Sequence, residues 1–286
     1  MIIAVFPGQG SQTPGFLSPW LEIEGTRERL AEASEHAGVD LLAAGTEWDA
    51  DRIRDTSVAQ PLIVAASLLS WSVLRDRAGQ GAAGVAGHSV GEFAALAASG
   101  VLSEADALRL VGIRGRAMAE AATTVETGMS AVVGGDEQTV LDRLAELDLT
   151  PANYNGAGQI VAAGERSALA ALAAEAPRGA RVIPLQVAGA FHTRFMEPAV
   201  DTLRAAAADV AASAPTTTLW TNSDGSVVED GRRAFADHGV TGIIELAPAG
   251  ALTGLAKRAL RGTPTVAVKT PDDLDAAVAL LKGEQA

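Results

Sequence analysis

The sequence is most constrained at residues 87–91, where a serine stands between two glycines in the pattern G-H-S-V-G. A short apolar run, 82–86, precedes this pattern and a helical run, 90–98, follows it. A strand, a tight turn and a helix in that order place a serine hydroxyl at a helix N-terminus, where free amides stabilise a developing oxyanion. The pattern therefore predicts that Ser89 is a nucleophile. The alternative is a small-residue turn in which the serine only caps a helix.

Composition limits the classes of protein that this chain can represent. It has 286 residues, a net charge of −13 and no cysteine. The acidic balance argues against nucleic-acid binding, because phosphate contacts need Lys and Arg. The lack of cysteine excludes disulfides, thiolate metal ligands and a cysteine nucleophile. The four histidines are too scattered to resemble a zinc site, so we predict no metal and no cofactor.

The N-terminal segment gives an expectation about location. It is apolar but short and has no preceding basic residue, which is not typical of a signal peptide. No apolar run approaches the ~20 residues that span a bilayer. We therefore expect a soluble cytoplasmic protein that does not contact a membrane.

Strand and helix patterns alternate along the first part of the chain. An apolar strand is predicted over 2–6, a long helix over 58–75, and the strand, turn and helix over 82–99. A further helix begins after Ser103, a residue type that favours the N-cap position. This alternation predicts an α/β layer with a parallel sheet.

The pattern changes over residues 127–188. The predicted order there is β-α-β-β-α-β, which is the signature of a ferredoxin-like fold. We therefore predict a large α/β-hydrolase-like domain, formed by 1–126 and 189–286, with the small ferredoxin-like subdomain inserted into it.

A nucleophilic serine needs a base, and histidine is the natural one near neutral pH. His192 is the best placed, because it lies at 189–193 (G-A-F-H-T) between a predicted strand and a predicted helix. His36 and His238 lie in polar helical stretches, which is typical of surface residues. His88 adjoins the serine, so its side chain must point away from the serine hydroxyl, which favours a supporting role. The alternative for His192 is a histidine that caps a helix.

Arg114 lies within the apolar stripe of the helix that follows Ser103. A guanidinium on a buried face needs an anionic partner. This partner is either a structural Asp or Glu or a substrate carboxylate held by the planar fork of the guanidinium, and the helix pattern alone slightly favours the structural partner. The apolar residues three, four or seven positions away are Ala107, Leu110, Val111, Ala117 and Met118.

The loop after the first strand, 8–12 (G-Q-G-S-Q), can approach the serine turn. Gln9 could then supply one oxyanion donor, and the backbone N–H of Val90 the other. The alternative is an ordinary turn. The loop lacks the Gly-Lys-Ser/Thr ending of a phosphate-binding loop.

Taken together, these motifs resemble the malonyl-CoA:acyl-carrier-protein transacylases of fatty-acid synthesis and the related acyltransferase domains of polyketide synthases. The resemblance covers nearly the whole chain. The segments that carry it are 7–12, 60–61 (Q-P), 87–91, 114–115 (R-G), 153–163, 189–193 and 254–258 (G-L-A-K-R).

The resemblance implies a ping-pong transfer. Ser89 would attack the malonyl thioester, His192 would act as the base, and the amides of Gln9 and Val90 would form the oxyanion hole. The acyl-enzyme would then pass its malonyl group to the phosphopantetheine thiol of acyl carrier protein. The resemblance further implies a monomer, and it leaves a polyketide pathway or a thioesterase-like hydrolase as alternatives. A non-catalytic module that binds the carrier protein is a third possibility.

The resemblance also assigns the substrate pocket. Arg114 would pair with the free malonyl carboxylate, which reverses the preference from the helix pattern. Phe191 would leave little room for a C2 methyl group and so favour malonyl over methylmalonyl, with His88 supporting the site. Carrier proteins of this kind are acidic, so docking needs a local basic patch, for which Lys257 and Arg258 are the best candidates together with Arg261. Basic residues that complete a helix C-terminus are the alternative.

One segment departs from the family pattern. After 222–225 (N-S-D-G) the family runs through a Gln-containing, Pro-Val-x-Trp-like segment, whereas here 227–233 lead almost directly to Ala234. In the family a backbone carbonyl of that Gln orients the histidine, and no residue here can be given that role. Either the chain lacks the segment, which would leave His192 poorly oriented, or the sequence is incomplete at this point, which we favour.

Overall fold

A computed structural model of the protein describes residues 1–155, 158–222 and 240–283. Its strands, in chain order, are β1 (Ile2–Phe6), β2 (Gly84–Gly87), β3 (Thr127–Gly134), β4 (Thr150–Tyr154), β5 (Gln159–Glu165), β6 (Ala180–Pro184), β7 (Thr218–Trp220), β8 (Gly242–Glu245) and β9 (Thr265–Ala267). Its α-helices are α1 (Thr26–Ala37), α2 (Leu41–Thr46), α3 (Ala50–Arg54), α4 (Thr56–Ala78), α5 (Gly91–Ala98), α6 (Glu104–Ala121), α7 (Glu137–Glu146), α8 (Arg166–Ala174), α9 (Glu197–Ala207), α10 (Ala251–Ala259) and α11 (Leu274–Lys282).

The chain divides into two compact units. Unit 1 comprises Met1–Gly115 and Ala206–Ala286, and unit 2 comprises Arg116–Ala205. The boundaries fall within α6 and within α9. The predicted insertion, 127–188, lies inside unit 2, which is wider than that segment on both sides.

Unit 1 is built on a five-stranded sheet in the order β7-β2-β1-β8-β9, and every neighbouring pair is parallel. The predicted parallel α/β layer is therefore confirmed. β1 consists of five apolar residues, four of them buried, which is typical of a strand covered on both faces. The parallel register aligns the C-terminal ends of β1 and β2, because Phe6 lies opposite Gly87. The serine turn and the 8–12 loop therefore leave the sheet at the same edge.

The central helix of unit 1 is α4. With 23 residues it is long and apolar enough to cross a membrane by length and composition, so the expectation that no such segment exists was wrong. Gln and Ser residues break the apolar run of this helix, so the sequence pattern did not show a segment of this length. However, 78% of its most apolar stretch is buried inside the protein. The hydroxyl of Ser67 donates to the carbonyl of Ala247 at 2.7 Å, and that of Ser70 accepts from the Ala247 N–H at 3.1 Å. These serines of α4 are therefore hydrogen-bonded inside the protein.

Unit 2 contains an antiparallel sheet in the order β4-β5-β3-β6. Its elements follow one another as β3-α7-β4-β5-α8-β6, the predicted order. Successive residues of β5 alternate between two cores, as the two-residue period of a strand requires. Ile160 packs with the cluster that contains α7 and α8, and Val161 packs with the cluster that contains Phe191 and the end of α6.

Candidate active site

The predicted strand, turn and helix around Ser89 are present as β2, a tight turn and α5. Ser89 has a φ of +52°, in the left-handed region that residues with a side chain seldom adopt. A Cβ at Gly87 would lie 2.2 Å from the carbonyl carbon of Gly91, and a Cβ at Gly91 would lie 2.2 Å from the carbonyl oxygen of Phe6. Both flanking positions therefore accept only glycine, and the strained serine is held between close backbone contacts.

The backbone N–H groups around the serine turn differ in their hydrogen bonding. The Ser89 N–H donates to Oδ1 of Asn222 at 3.3 Å, and the Gly91 N–H donates to the carbonyl of His88 at 3.0 Å. Within the described part of the chain, the N–H groups of Val90 and Gln9 have no hydrogen-bond partner. The two predicted oxyanion donors are therefore the amides left available to a ligand.

The 8–12 loop is held against the serine turn. A Cβ at Gly8 would lie 2.5 Å from Nδ1 of His88, so only glycine allows this approach. The loop is tied to the α3–α4 junction by the Gln12 side chain, whose Nε2 donates to the carbonyl of Ile53 at 3.1 Å. Its Oε1 accepts from the Gly10 N–H at 2.9 Å. The half-buried Gln9 is thereby placed beside the turn by its neighbours.

His88 is half-buried, and its ring packs against Gly8. Burial lowers the pKa of His88, and the negative charge of Glu245 opposes this in part. Glu245 is fully buried and accepts the N–H groups of Leu252 and Thr253 at the N-terminus of α10, at 2.9 and 2.8 Å. The packing of its ring is consistent with a supporting role for His88, and its predicted place in the substrate site stays a prediction.

Arg114 lies on the buried side of α6, as its helical position predicts. Its Nη1 donates to Oε1 of the buried Gln60 at 2.6 Å. Among the described residues no carboxylate oxygen lies within 4.0 Å of its guanidinium nitrogens, so the structural Asp or Glu that the helix pattern slightly favoured is not found there. Gly115 allows this geometry, because a Cβ there would lie 2.9 Å from the carbonyl of Thr56 in the first turn of α4.

The charge of Arg114 is retained at neutral pH. Burial lowers its pKa to about 10, and the negative charge of Glu92 raises it in part. A half-buried cation with an amide partner and no paired carboxylate is suited to receive an anion from outside the protein. Unit 1 thus contains Ser89, Val90, Gln9 and Arg114.

Sequence reasoning gave no role to three residues of this cluster: Gln60, Glu92 and Asn222. Gln60 appeared only as part of a family motif. Glu92 directly follows the second glycine of the serine turn. Carboxylates are common in the first turn of a helix, so this position alone does not indicate a functional residue. Asn222 is separated from Ser89 by 133 positions, and only the pairing of β7 with β2 reveals that they meet.

His192 and Phe191 belong to unit 2. His192 is exposed and has a φ of +62°, whereas Phe191 is 7% exposed and packs in the core of that unit. The turn that holds them is fixed by two hydrogen bonds: the Ala190 N–H donates to Oγ1 of Thr127 at 3.0 Å, and the Thr193 hydroxyl donates to the Ala190 carbonyl at 2.7 Å. Their catalytic and specificity roles stay predictions.

The other predicted residues lie at the surface of the described structure. Lys257 and Arg258 are exposed in the last turn of α10, and Arg261 is exposed just beyond it. This placement agrees both with a docking patch and with basic residues at a helix C-terminus. His36 is exposed on α1, whereas His238 falls outside the described residues. In the part of the chain that the structure describes, no three His, Asp or Glu side chains form a group that could hold a metal ion.

Comparison with known proteins identifies the class. The family model described as "Acyl transferase domain" matches residues 3–246. The match spans most of the chain, and the chain therefore belongs to this family.

Individual relatives narrow the comparison further. The chain is 51% identical to the malonyl CoA-acyl carrier protein transacylase of Mycobacterium bovis, over 96% of this chain and 98% of that protein. The crystal structure of MCAT from Mycobacterium tuberculosis superimposes with a TM-score of 0.91 at 50% identity, covering 97% of this chain and 100% of the other. A type II PKS acyl-carrier protein in complex with its malonyl-transacylase gives a TM-score of 0.88 at 29% identity, covering 98% of this chain and 99% of the transacylase chain.

The same alignment shows that this chain lacks some residues of the relative. The alignment with the Mycobacterium bovis protein runs over 298 positions but includes 96% of the 286 residues of this chain, so more than twenty of its positions have no counterpart here. The expectation that a piece is missing from the sequence after Asp224 stays a prediction. Residues 223–239 lie outside the described residues.

Proposed function

We propose that this protein transfers a malonyl group from malonyl-CoA to the phosphopantetheine thiol of an acyl carrier protein, through a malonyl-Ser89 intermediate. The observation that carries the proposal is the half-buried Arg114 guanidinium, which has no carboxylate within 4.0 Å among the described residues and lies in the same unit as the strained serine. The names of the relatives agree with this substrate pair.

The chemistry uses side chains and backbone amides alone, and we propose no metal and no cofactor. The Ser89 hydroxyl attacks the thioester carbonyl of malonyl-CoA while His192 takes its proton. The tetrahedral oxyanion accepts hydrogen bonds from the N–H groups of Val90 and Gln9. Collapse expels the CoA sulfur, which leaves as the thiol after it receives the proton from His192. The carrier thiol then attacks the serine ester by the same steps in reverse.

Specificity follows from the acid group of the substrate. The planar guanidinium of Arg114 can hold the malonyl carboxylate through two parallel hydrogen bonds, while Gln60 fixes its other side. Acetyl-CoA has no group to place there. Phe191 would exclude a C2 methyl group, and His88 would support the serine turn from behind.

Docking of the carrier needs basic groups on an otherwise acidic protein. Lys257, Arg258 and Arg261 are exposed at one end of α10 and supply such a patch. We further infer that the larger unit is α/β-hydrolase-like, that the smaller unit is ferredoxin-like, and that the protein acts as a cytoplasmic monomer without nucleic acid or membrane.

The product test separates the proposal from its alternatives. Purified enzyme is mixed with malonyl-CoA and a phosphopantetheinylated carrier protein, and malonyl-carrier and free malonate are measured together. We expect malonyl-carrier to dominate, and the His192→Ala variant to lose most of its formation. Dominant free malonate would indicate a thioesterase. A wild-type protein that binds the carrier but is not labelled at Ser89 by an active-site serine probe would be a non-catalytic binding module. Carriers from fatty-acid and polyketide systems, assayed side by side, separate the two pathways.

A further inference from the structure

The carboxylate of Glu92 connects the serine turn to the segment that follows β7. Glu92 lies in the first turn of α5, three positions after Ser89. Its Oε1 accepts the Asn222 backbone N–H at 2.9 Å and the Thr221 hydroxyl at 3.1 Å. A single carboxylate oxygen thus fixes two consecutive residues at the end of this segment.

The connection continues to the nucleophile. Oδ1 of Asn222 accepts the Ser89 N–H at 3.3 Å, so the order of contacts is Glu92, Asn222, Ser89. Ser89 has a positive φ, a conformation that persists only when surrounding contacts enforce it. The Ser89 N–H is also the amide next to the Val90 N–H, so the same contact helps to aim the oxyanion donor.

We propose that Glu92 is a positioning residue that, through Asn222, fixes the backbone of Ser89. The inference rests on the proposed malonyl transfer. A glutamine at this position could keep this effect, because its side-chain oxygen accepts the same two hydrogen bonds. An alanine would lose it.

Acylation tests the positioning effect. The rate of Ser89 acylation is measured with acetyl-CoA, which has no carboxylate to interact with Arg114. We expect Glu92→Ala to slow it by about tenfold or more, Glu92→Gln to recover most of that loss, and Asn222→Ala to slow it like Glu92→Ala. Wild-type rates in Glu92→Ala or Asn222→Ala would overturn the proposal. If thermal melting shows that the Glu92 variants do not fold, Asn222→Ala decides it. Failure of wild-type Ser89 to accept malonyl would instead refute the proposed function.

Discussion

Replacing Arg114 by glutamine should remove the preference for malonyl-CoA while leaving the acyl-transfer chemistry intact. The structure sets the scale of the effect. Arg114 has Gln60 as a neutral partner at 2.6 Å and no carboxylate within 4.0 Å among the described residues, so its charge is available to the substrate. Two hydrogen bonds to a charged group, at about 1.5 kcal/mol each as a lower estimate, amount to about 3 kcal/mol. That corresponds to about a 150-fold loss of kcat/KM.

The assay is transfer to carrier protein from malonyl-CoA and from acetyl-CoA, each at several concentrations. Arg114→Gln should lower kcat/KM by about 150-fold with malonyl-CoA and by almost nothing with acetyl-CoA. Arg109→Gln is the matched control on the same helix, because Arg109 pairs with Asp106 at 3.4 Å and lies partly at the surface; it should leave both substrates unaffected. An equal loss with both substrates in Arg114→Gln would show that the residue supports the structure and does not bind the malonyl carboxylate.

Three further predictions concern the frame of the site. Gly91→Ala places a Cβ 2.2 Å from the Phe6 carbonyl oxygen, a backbone atom of the central strand, and should lower the free energy of unfolding in urea by about 3 kcal/mol or more. In the control Gly254→Ala the added Cβ meets nothing within 4 Å, so this variant should be neutral or slightly stabilising. Equal changes in the free energy of unfolding for the two variants would contradict the packing argument. Because burial lowers the pKa of His88 in the folded state, the unfolded chain binds the additional proton first, so stability should fall as the pH drops below about 6.5. His88→Asn should flatten this dependence between pH 5 and 7, whereas an unchanged slope, or a flattening in the exposed His36→Asn control, would refute the assignment. Glu245→Gln puts an amide where a fully buried carboxylate accepts hydrogen bonds from two backbone N–H groups, and should lower the free energy of unfolding, measured with heat or urea, by about 2 kcal/mol. A variant as stable as the wild type would show that the capping of α10 does not need the charge.

Local sequence patterns predicted well the strands, turn and helices that carry the site. The apolar residues of β1 and the two glycines around Ser89 act on their immediate neighbours, so strand, turn and helix follow from sequence order. The β-α-β-β-α-β order of unit 2 was predictable for the same reason. The alanine-rich pattern predicts a helix over 197–212, whereas α9 ends at Ala207. The residues beyond Ala207 are mostly exposed, and helical propensity without a buried face does not sustain a helix.

The partners of the site residues were not predictable. The contact of Arg114 with Gln60 spans 54 positions, and that of Ser89 with Asn222 spans 133. Nothing in a single sequence relates such residues, because their proximity is created by the packing of α6 on α4 and by the pairing of β7 with β2. Glu92 shows the same limit, since its place in the first turn of α5 was visible but the two groups it binds were not.

The most direct test of the central claim is the intact mass of the protein before and after incubation with malonyl-CoA. The account predicts that the wild-type protein gains one malonyl group, that Ser89→Ala gains none, and that carrier protein removes the group from the wild type. A wild-type mass that does not change, or an equal gain by Ser89→Ala, would contradict a malonyl-Ser89 intermediate.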